Sequence, residues 1–330
     1  MNTIPSRRTV LALGLVGLAA ALATYWLARG SQDRRRAREE FTWTEVTSRA
    51  GWAPGYSFSA VVHSDTLWIL GHHDGNWYSA DGRTWKKAES NVDFTSGYST
   101  FVVFKDEIYA IGGADDQSRP GRKAVWKSAD GVRWVLLTDD PAWSARVWHA
   151  SVVSDGRIWL LGGYDGDYLS DVWYSRDGVE WTRATATAPW RGRCMHASVT
   201  FNDKIWVLGG RRDMDAWWGT DFNDVWYSTD GNQWSRTTTS AGWSKRYGIG
   251  SVAWDGRLWL MGGSRLFRNN EVWFSKDGAH WVELGDAGWS PRFSAGSVVF
   301  RDGVWVMGGK EGGGKFRNDV WRLARESRGW

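Results

Sequence analysis

A tryptophan and an arginine three residues apart recur in this chain at intervals of about fifty residues. An indole can stack on a sugar ring, and a guanidinium can hold a carboxylate or a phosphate through two parallel hydrogen bonds. The pattern therefore predicts an aromatic, basic ligand site. The alternative is that each arginine braces the fold by binding backbone carbonyls or acids. The pairs are Trp143 and Arg146, Trp190 and Arg193, Trp243 and Arg246, and Trp289 and Arg292.

A second group of candidates lies between these pairs. Trp217 and Trp218 are adjacent indoles in a stretch rich in acids and arginines, which predicts a contact surface for a protein or a glycan. The alternative is a lid packed on its own repeat. His149 and His196 could in principle hold a metal ion. No Ser/His/Asp constellation or phosphate-binding loop stands out elsewhere in the sequence.

Tandem repeats carry these residues. Within each repeat we name the predicted strands a to d in chain order. Strand b is apolar and ends in glycine, and strand c is aromatic. Five c strands run into the pattern Ser-x-Asp-Gly-x-x-Trp, as in Ser175–Trp181. Because Asp-Gly suits a tight hairpin, we predict a three-residue loop that places Trp173 opposite Trp181. The same register would pair Trp77 with Trp85, Trp126 with Trp134, Trp226 with Trp234, and Trp273 with Trp281.

The first strand of the repeat region has no repeat before it. After residue 50 the chain has six a, six b and six c strands but only five d strands. Phe41–Val46 has the character of a d strand. We predict that it pairs with the strand around Val320 and Trp321, with Trp43 in the place of the missing indole. Such pairing closes a ring of six blades and removes exposed sheet edges.

The repeat resembles that of the kelch family over residues 41–330. The matching features are the Gly-Gly pair after strand b, the aromatic residue of strand c, the tryptophan of strand d, and Arg-x-x-His before strand a, as in Arg146/His149 and Arg193/His196. The resemblance implies an all-β, six-bladed β-propeller. It also implies that the d–a and b–c loops share one face around the central channel, which would place the Trp–Arg pairs on its rim. Kelch-type propellers include both enzymes and docking platforms.

Two enzyme families share part of this resemblance. Cys194 and Tyr247 stand at equivalent heights in neighbouring repeats, which resembles the crosslinked pair of galactose oxidase, a copper-radical enzyme. The stretch around Trp148 is similar to a motif of that family, with Trp148 in place of the tyrosine that would bind copper. The chain also resembles the six-bladed sialic-acid mutarotases, which implies a periplasmic sugar epimerase or mutarotase. In that case an acid–base pair is needed near the channel, and His149, His196 or Asp213 would be the candidates.

The first forty residues differ from the rest. Residues 9–28 are twenty uncharged residues, long enough as a helix to cross a bilayer. Residues 6–11 resemble a twin-arginine export signal. We predict that residues 1–40 form an uncleaved signal anchor, with a transmembrane helix over 9–28 and a basic linker, and that the propeller lies outside the cytoplasm. Five arginines follow the apolar run and two precede it, which favours the opposite orientation.

The net charge of +4 belongs to this leader. Residues 1–40 hold seven arginines and three acids, so residues 41–330 hold 34 basic and 34 acidic side chains. A propeller with no net charge has no global attraction for nucleic acid. The single cysteine excludes an intramolecular disulfide. We therefore predict a monomeric, non-catalytic propeller, without a cofactor, that is held at a membrane by its N-terminal helix and binds a protein or a glycan.

Overall fold

The computed structural model describes residues 39–94, 97–114, 123–213, 220–264 and 269–326, together with Gln32 and Arg35. The described residues form six four-stranded antiparallel sheets, the blades of a β-propeller. The predicted all-β, six-bladed fold is confirmed. Within the described part of the chain, no helix is long and apolar enough to span a membrane. The predicted transmembrane segment, residues 9–28, lies outside the described residues.

Each of the first five blades is a run of four consecutive strands. In chain order these strands are β2 (Ser59–His63), β3 (Thr66–Leu70), β4 (Asn76–Ser79) and β5 (Lys86–Ala88) in blade 1; β6 (Thr100–Phe104), β7 (Glu107–Ile111), β8 (Val125–Ser128) and β9 (Val135–Thr138) in blade 2; β10 (Ala150–Ser154), β11 (Arg157–Tyr164), β12 (Tyr168–Ser175) and β13 (Trp181–Thr185) in blade 3; β14 (Ala197–Phe201), β15 (Lys204–Arg212), β16 (Thr220–Ser228) and β17 (Ser235–Thr238) in blade 4; and β18 (Gly250–Trp254), β19 (Arg257–Met261), β20 (Glu271–Ser275) and β21 (Val282–Asp286) in blade 5.

Blade 6 joins the two ends of the repeat region. It contains β22 (Gly296–Val299), β23 (Val304–Lys310), β24 (Phe316–Arg325) and, as its outer strand, β1 (Phe41–Thr47). Strand β1 pairs antiparallel with β24, with Glu45 opposite Trp321. The predicted closure of the ring is therefore confirmed.

An ion cluster fixes the start of β1 to blade 5. The Arg257 guanidinium donates to the Glu40 carboxylate at 3.1 Å and also contacts Asp255. Arg325 donates to Glu40 and to Asp255, both at 2.9 Å. Two cations thus bridge two carboxylates at the point where the leader enters the propeller.

The predicted pairing of indoles across the c–d hairpin is wrong. Trp173 lies opposite Arg183, and Trp181 lies opposite Ser175. Four other blades show the same shift: Trp77 faces Lys87, Trp126 faces Leu136, Trp226 faces Arg236, and Trp273 faces Glu283.

Local hydrogen bonds explain the longer loop. The Asp177 carboxylate accepts from the amides of Val179 and Glu180 at 2.8 and 2.9 Å. The Ser175 hydroxyl accepts from the Gly178 amide at 2.7 Å. Because Asp and Ser side chains satisfy these backbone groups, the loop extends to five residues and delays the start of strand d.

Each d-strand tryptophan instead packs edge-to-face on the tryptophan of the d–a loop in its own blade. In blade 3, Trp181 and Trp143 have ring centroids 5.8 Å apart and planes at 87°. In blade 2, Phe94 takes the place of that tryptophan and packs on Trp134 at 4.9 Å. The repeated aromatic residues belong to cores packed between neighbouring blades, as where Trp143 and Trp181 cluster with Ile111 and Val125 of blade 2. The remaining pairs are Trp52–Trp85, Trp190–Trp234, Trp243–Trp281 and Trp43–Trp289.

Candidate functional site

Arg193 shows what the repeated arginines do. Its side chain is fully buried, and its guanidinium donates to both oxygens of Asp224 at 2.7 and 2.9 Å and to the Gly209 carbonyl at 2.8 Å, all within blade 4. Its backbone amide donates to the Leu169 carbonyl at 3.0 Å, and its carbonyl accepts from Gly163 at 3.0 Å, both in blade 3. The residue therefore braces two neighbouring blades.

The other arginines of the pattern have the same environment. All four are at most 2% exposed, and so are the four tryptophans that precede them. Side chains buried to this degree do not line an open rim, so the structure shows the bracing interpretation rather than the predicted ligand contacts. The buried residues are Arg146, Arg193, Arg246 and Arg292, with Trp143, Trp190, Trp243 and Trp289. The paired carboxylates are Asp171, Asp224, Glu271 and Asp319.

The pKa values of Asp224 and Glu271 lie below the usual values of these carboxyl groups. Burial alone would raise the pKa of Asp224, but the hydrogen bonds and charge of Arg193 outweigh it and hold that pKa below its usual value. Arg246 does the same for Glu271. These acids are therefore ionised at neutral pH, and each neutralises its arginine.

Blade 1 replaces the arginine with a histidine from another loop. Gly55 stands at the arginine position, and a Cβ atom there would lie 2.1 Å from His72 Nε2. His72 is fully buried, and its Nδ1 accepts from the Asp74 amide at 3.1 Å. Burial lowers the pKa of His72 to about 4, so this imidazole is neutral at physiological pH. In blade 1 the neutral His72 imidazole therefore takes the place of the charged guanidinium.

The remaining predicted residues lie in several places. Trp217 and Trp218 are outside the described residues. Asp213 lies 3.5 Å from Arg212 in an exposed ion pair. Cys194 is buried, and burial raises the pKa of its thiol to about 12. The Arg211 guanidinium covers the Tyr247 ring at 4.3 Å.

The metal and crosslink hypotheses gain no geometric support. Among the described residues, no three His, Cys, Asp or Glu side chains come together in a way that could hold a metal ion. His149 Nε2 contacts the Thr100 hydroxyl at 2.9 Å. Copper binding by His149 and His196, and a crosslink between Cys194 and Tyr247, stay predictions from the family resemblance.

The d–a and b–c loops meet on one face, as the resemblance implied. Backbone bridges join them in four blades, for example between Val147 and Tyr164 in blade 3 and between Phe293 and Lys310 in blade 6. At this face each blade contributes one residue with left-handed backbone, with φ from 51° to 62°, to the mouth of the channel. These residues are Ser57, Tyr98, Trp148, Met195, Gly248 and Ser294.

Backbone hydrogen bonds link most of these six residues around the channel. The amides of Met195, Gly248, Ser294 and Ser57 each donate to the carbonyl of the preceding member, at 2.8–3.1 Å. Within the described part of the chain, no such hydrogen bond joins Ser57 to Tyr98 or Tyr98 to Trp148, so the series is interrupted on both sides of Tyr98. Left-handed backbone costs a non-glycine residue about 1–2 kcal/mol, so the mouth is held in a strained form by its surroundings.

Half-buried aromatic side chains surround the same mouth. We call Tyr56, Tyr98, Trp148, Tyr164, Tyr168, Tyr247 and Phe293 the aromatic collar. Neighbouring rings lie 5.1–6.2 Å apart in the contacts Tyr98–Trp148, Trp148–Tyr164, Tyr164–Tyr168, Tyr247–Phe293 and Tyr56–Phe293. Burial and the neighbouring Tyr98 hydroxyl raise the pKa of Tyr56 to about 12, which indicates that the two phenols lie side by side. Arg211 and Arg212 lie over Tyr247 and Tyr168, and complete the ring.

A cavity of about 190 Å³ lies in the channel beneath the collar. Hydroxyl groups and two imidazoles line it, and no acidic side chain, lysine or arginine is among its described lining residues. Burial lowers the pKa values of His149 and His196 to about 3, so both imidazoles are neutral at physiological pH. Its lining includes Ser57, Ser59, Ser99, Thr100, His149 and His196, with Tyr98 and Trp148 above.

We expect these histidines to make the fold sensitive to mild acid. In the unfolded chain they bind protons below about pH 6.5, whereas the folded chain takes them up only near pH 3. The unfolding free energy should therefore fall by about 2 kcal/mol for each histidine between pH 6.5 and pH 5. Urea denaturation over this range would measure the slope, and His196→Phe should reduce it. An unchanged stability down to pH 5 would contradict the buried neutral state.

Two further features of the sequence indicate the ion pairs and the collar. An acid stands two residues before the c-strand tryptophan in the four blades that have the arginine, whereas Gly75 and Ala124 occupy that position in blades 1 and 2. Because the acid occurs only in the repeats that have the arginine, the pattern indicates that the two side chains form ion pairs. Large side chains also stand one or two residues after the arginine position, as in Trp148 and Tyr247, and these form the collar.

Comparison with known proteins agrees with this architecture. The family model described as the KLHDC2/KLHL20/DRC7 Kelch-repeats domain matches residues 98–309. No curated protein matches the chain. A solved structure entitled "Structure of YjhT" superimposes with a TM-score of 0.67 at 16% sequence identity, over 83% of this chain and 96% of that chain. At that identity the likeness shows the fold alone. Because the kelch model covers more than half of the sequence, the chain belongs to the kelch-repeat family.

Proposed function

We propose that this chain is a non-catalytic binding module, tethered to a membrane through residues 9–28, and that its partner docks on the aromatic collar. The observation that supports this most is the collar itself: a nearly continuous ring of half-buried Tyr, Trp and Phe around an open channel mouth. Such side chains dominate the binding energy of protein and glycan interfaces. The repeated arginines are already neutralised within their blades, so the collar replaces them as the contact surface.

The collar can be tested directly by removing two neighbouring rings. Tyr98→Ala combined with Trp148→Ala should weaken binding of the native partner by at least tenfold, because this change removes the 5.4 Å ring pair at the channel mouth. The partner would be isolated by pull-down from detergent-solubilised membranes of the native host, and its affinity for each variant measured. Val179→Ala, in an exposed c–d loop of blade 3, is the matched control. Equal affinity of wild type and the double variant would refute the collar as the docking surface.

The tether has its own test. Its support is the uncharged run of residues 9–28, flanked by arginines. We expect the full chain to stay in the membrane after carbonate extraction, and a chain that begins at residue 39 to be released. Protease protection in intact cells would then show on which side of the membrane the propeller lies, which we propose is the periplasmic side.

A second candidate function is favoured by one observation. His149 and His196, both neutral, line the cavity at the channel mouth, where a sugar mutarotase would need a base. No carboxyl group is among the described residues of the cavity lining, so a matching acid would have to come from elsewhere. Exchange between sugar anomers, followed by NMR with and without the protein, would test this activity.

A further inference from the structure

The cavity beneath the collar holds polar groups whose bonding capacity is unused. His196 is 6% exposed, and neither of its ring nitrogens has a hydrogen-bond partner in the described structure. His149 Nδ1 is in the same condition. A buried polar atom without a partner is costly, so a group that supplied a hydrogen bond to these imidazoles would gain binding energy.

Two backbone N–H groups at the same cavity are further donors, because the series of hydrogen bonds around the channel is interrupted there. The amides of Met195, Gly248 and Ser294 donate to neighbouring carbonyls, but those of Tyr98 and Trp148 have no backbone acceptor within the described residues. Both residues line the cavity. The opening in the series therefore coincides with the two aromatic side chains that stand above the cavity.

Both arginines that lie on the collar are paired with acids, and the Lys310 ammonium lies over the Tyr56 ring at 5.0 Å. Arg211 pairs with Asp221 at 2.8 Å, and Arg212 lies 3.5 Å from Asp213. No cation is among the described lining residues of the cavity. An anionic group that entered would lose its hydration without gaining a counter-ion, whereas a neutral group would exchange water for hydroxyl, imidazole and amide partners.

We propose that the group that enters this cavity is a single uncharged sugar unit at the end of a glycan. Its ring would stack on Trp148 and Tyr98, and its hydroxyls would bond to Ser57, Ser59 and His196. The cavity of about 190 Å³ is smaller than the roughly 300–1,000 Å³ of sites that enclose a whole drug-sized ligand, so the rest of the glycan lies on the collar. This inference rests on the proposed function and specifies its ligand.

Matched pairs of methyl glycosides test the inference. Methyl β-glucoside and methyl β-galactoside differ from their uronides only in a hydroxymethyl group that becomes a carboxylate. Saturation-transfer NMR and intrinsic tryptophan fluorescence on the full chain in detergent would give their affinities. We expect a neutral glycoside to bind, and its uronide to bind at least tenfold more weakly.

Two variants connect binding to the cavity. His196→Phe and, separately, Ser59→Val should each weaken binding of the neutral glycoside by at least fivefold. If the histidine variant does not fold, Ser59→Val alone tests the cavity. Uronides that bind as well as the neutral sugars, or an absence of sugar binding, would overturn this inference. Suppose that no sugar binds but that the Tyr98→Ala, Trp148→Ala variant still loses its native partner. The collar then stands as the docking surface, and only the sugar inference fails. If that variant keeps its partner, both proposals fail.

Discussion

Replacing Arg193 with methionine should lower the free energy of unfolding by about 3–5 kcal/mol. Methionine fills a similar volume but leaves the Asp224 carboxylate, 15% exposed, without its cation. It also leaves the Gly209 carbonyl without the 2.8 Å hydrogen bond from the guanidinium. Because removing one member of a buried ion pair strands the other, the loss should exceed that of any surface substitution. Urea denaturation at pH 7 would measure it.

Two further variants separate the ion pair from the bulk of the side chain. Adding Asp224→Asn to Arg193→Met removes the stranded charge but keeps an acceptor for the Trp226 indole N–H, which donates to Asp224 at 2.7 Å. That double variant should recover part of the stability. Arg212→Met, at an exposed pair, should change it by less than about 1 kcal/mol. An Arg193→Met protein of wild-type stability that loses its ligand would instead identify Arg193 as a binding residue.

Removing β1 should have a still larger effect. A chain that begins at residue 49 lacks Phe41, which packs on Trp254 and Trp259 at 5.4 and 5.0 Å, and it also lacks Trp43. Loss of one buried phenylalanine alone costs about 3–5 kcal/mol, and whole domains are stable by only about 5–15 kcal/mol. Such a chain would also expose the edge of β24, which invites association between molecules.

The matched control is a chain that begins at residue 39, which keeps β1 and the Glu40 ion cluster. We expect it to unfold in one cooperative transition within about 1 kcal/mol of the full chain. The shorter chain should show no cooperative transition and should self-associate in analytical ultracentrifugation. Addition of a peptide of residues 39–49 should restore the transition. Identical unfolding curves for the two chains would contradict closure by β1.

The fold was largely predictable because it follows from the number of strands of each type in the sequence. A d strand at Phe41–Val46, with no repeat before it, has one place to pair in a closed ring. The register of the c–d hairpins was not predictable from the Asp-Gly pair alone. The outcome depended on whether the Asp177 carboxylate would bind the backbone two and three residues ahead, which lengthens the loop to five residues.

The candidate site was harder to predict. The spacing of Trp190 and Arg193 is equally compatible with an open rim and with a buried brace, and only the partner Asp224, thirty-one residues away in the sequence, distinguishes them. The collar residues vary in type and position from blade to blade: Trp148 stands two residues after Arg146, whereas Tyr247 stands one residue after Arg246. A site whose residues shift in type and position among the repeats leaves only a weak periodic signal.

Photo-crosslinking from the channel mouth would test the central claim, that the collar is the docking surface, most directly. Trp148 would be replaced by a photoactivatable phenylalanine, and Val179 on a c–d loop would be replaced in a second protein. Both would be irradiated in membranes of the native host. The collar position should form a discrete adduct that the Val179 position does not form. Adducts from Val179 alone would place the docking surface elsewhere and contradict the claim.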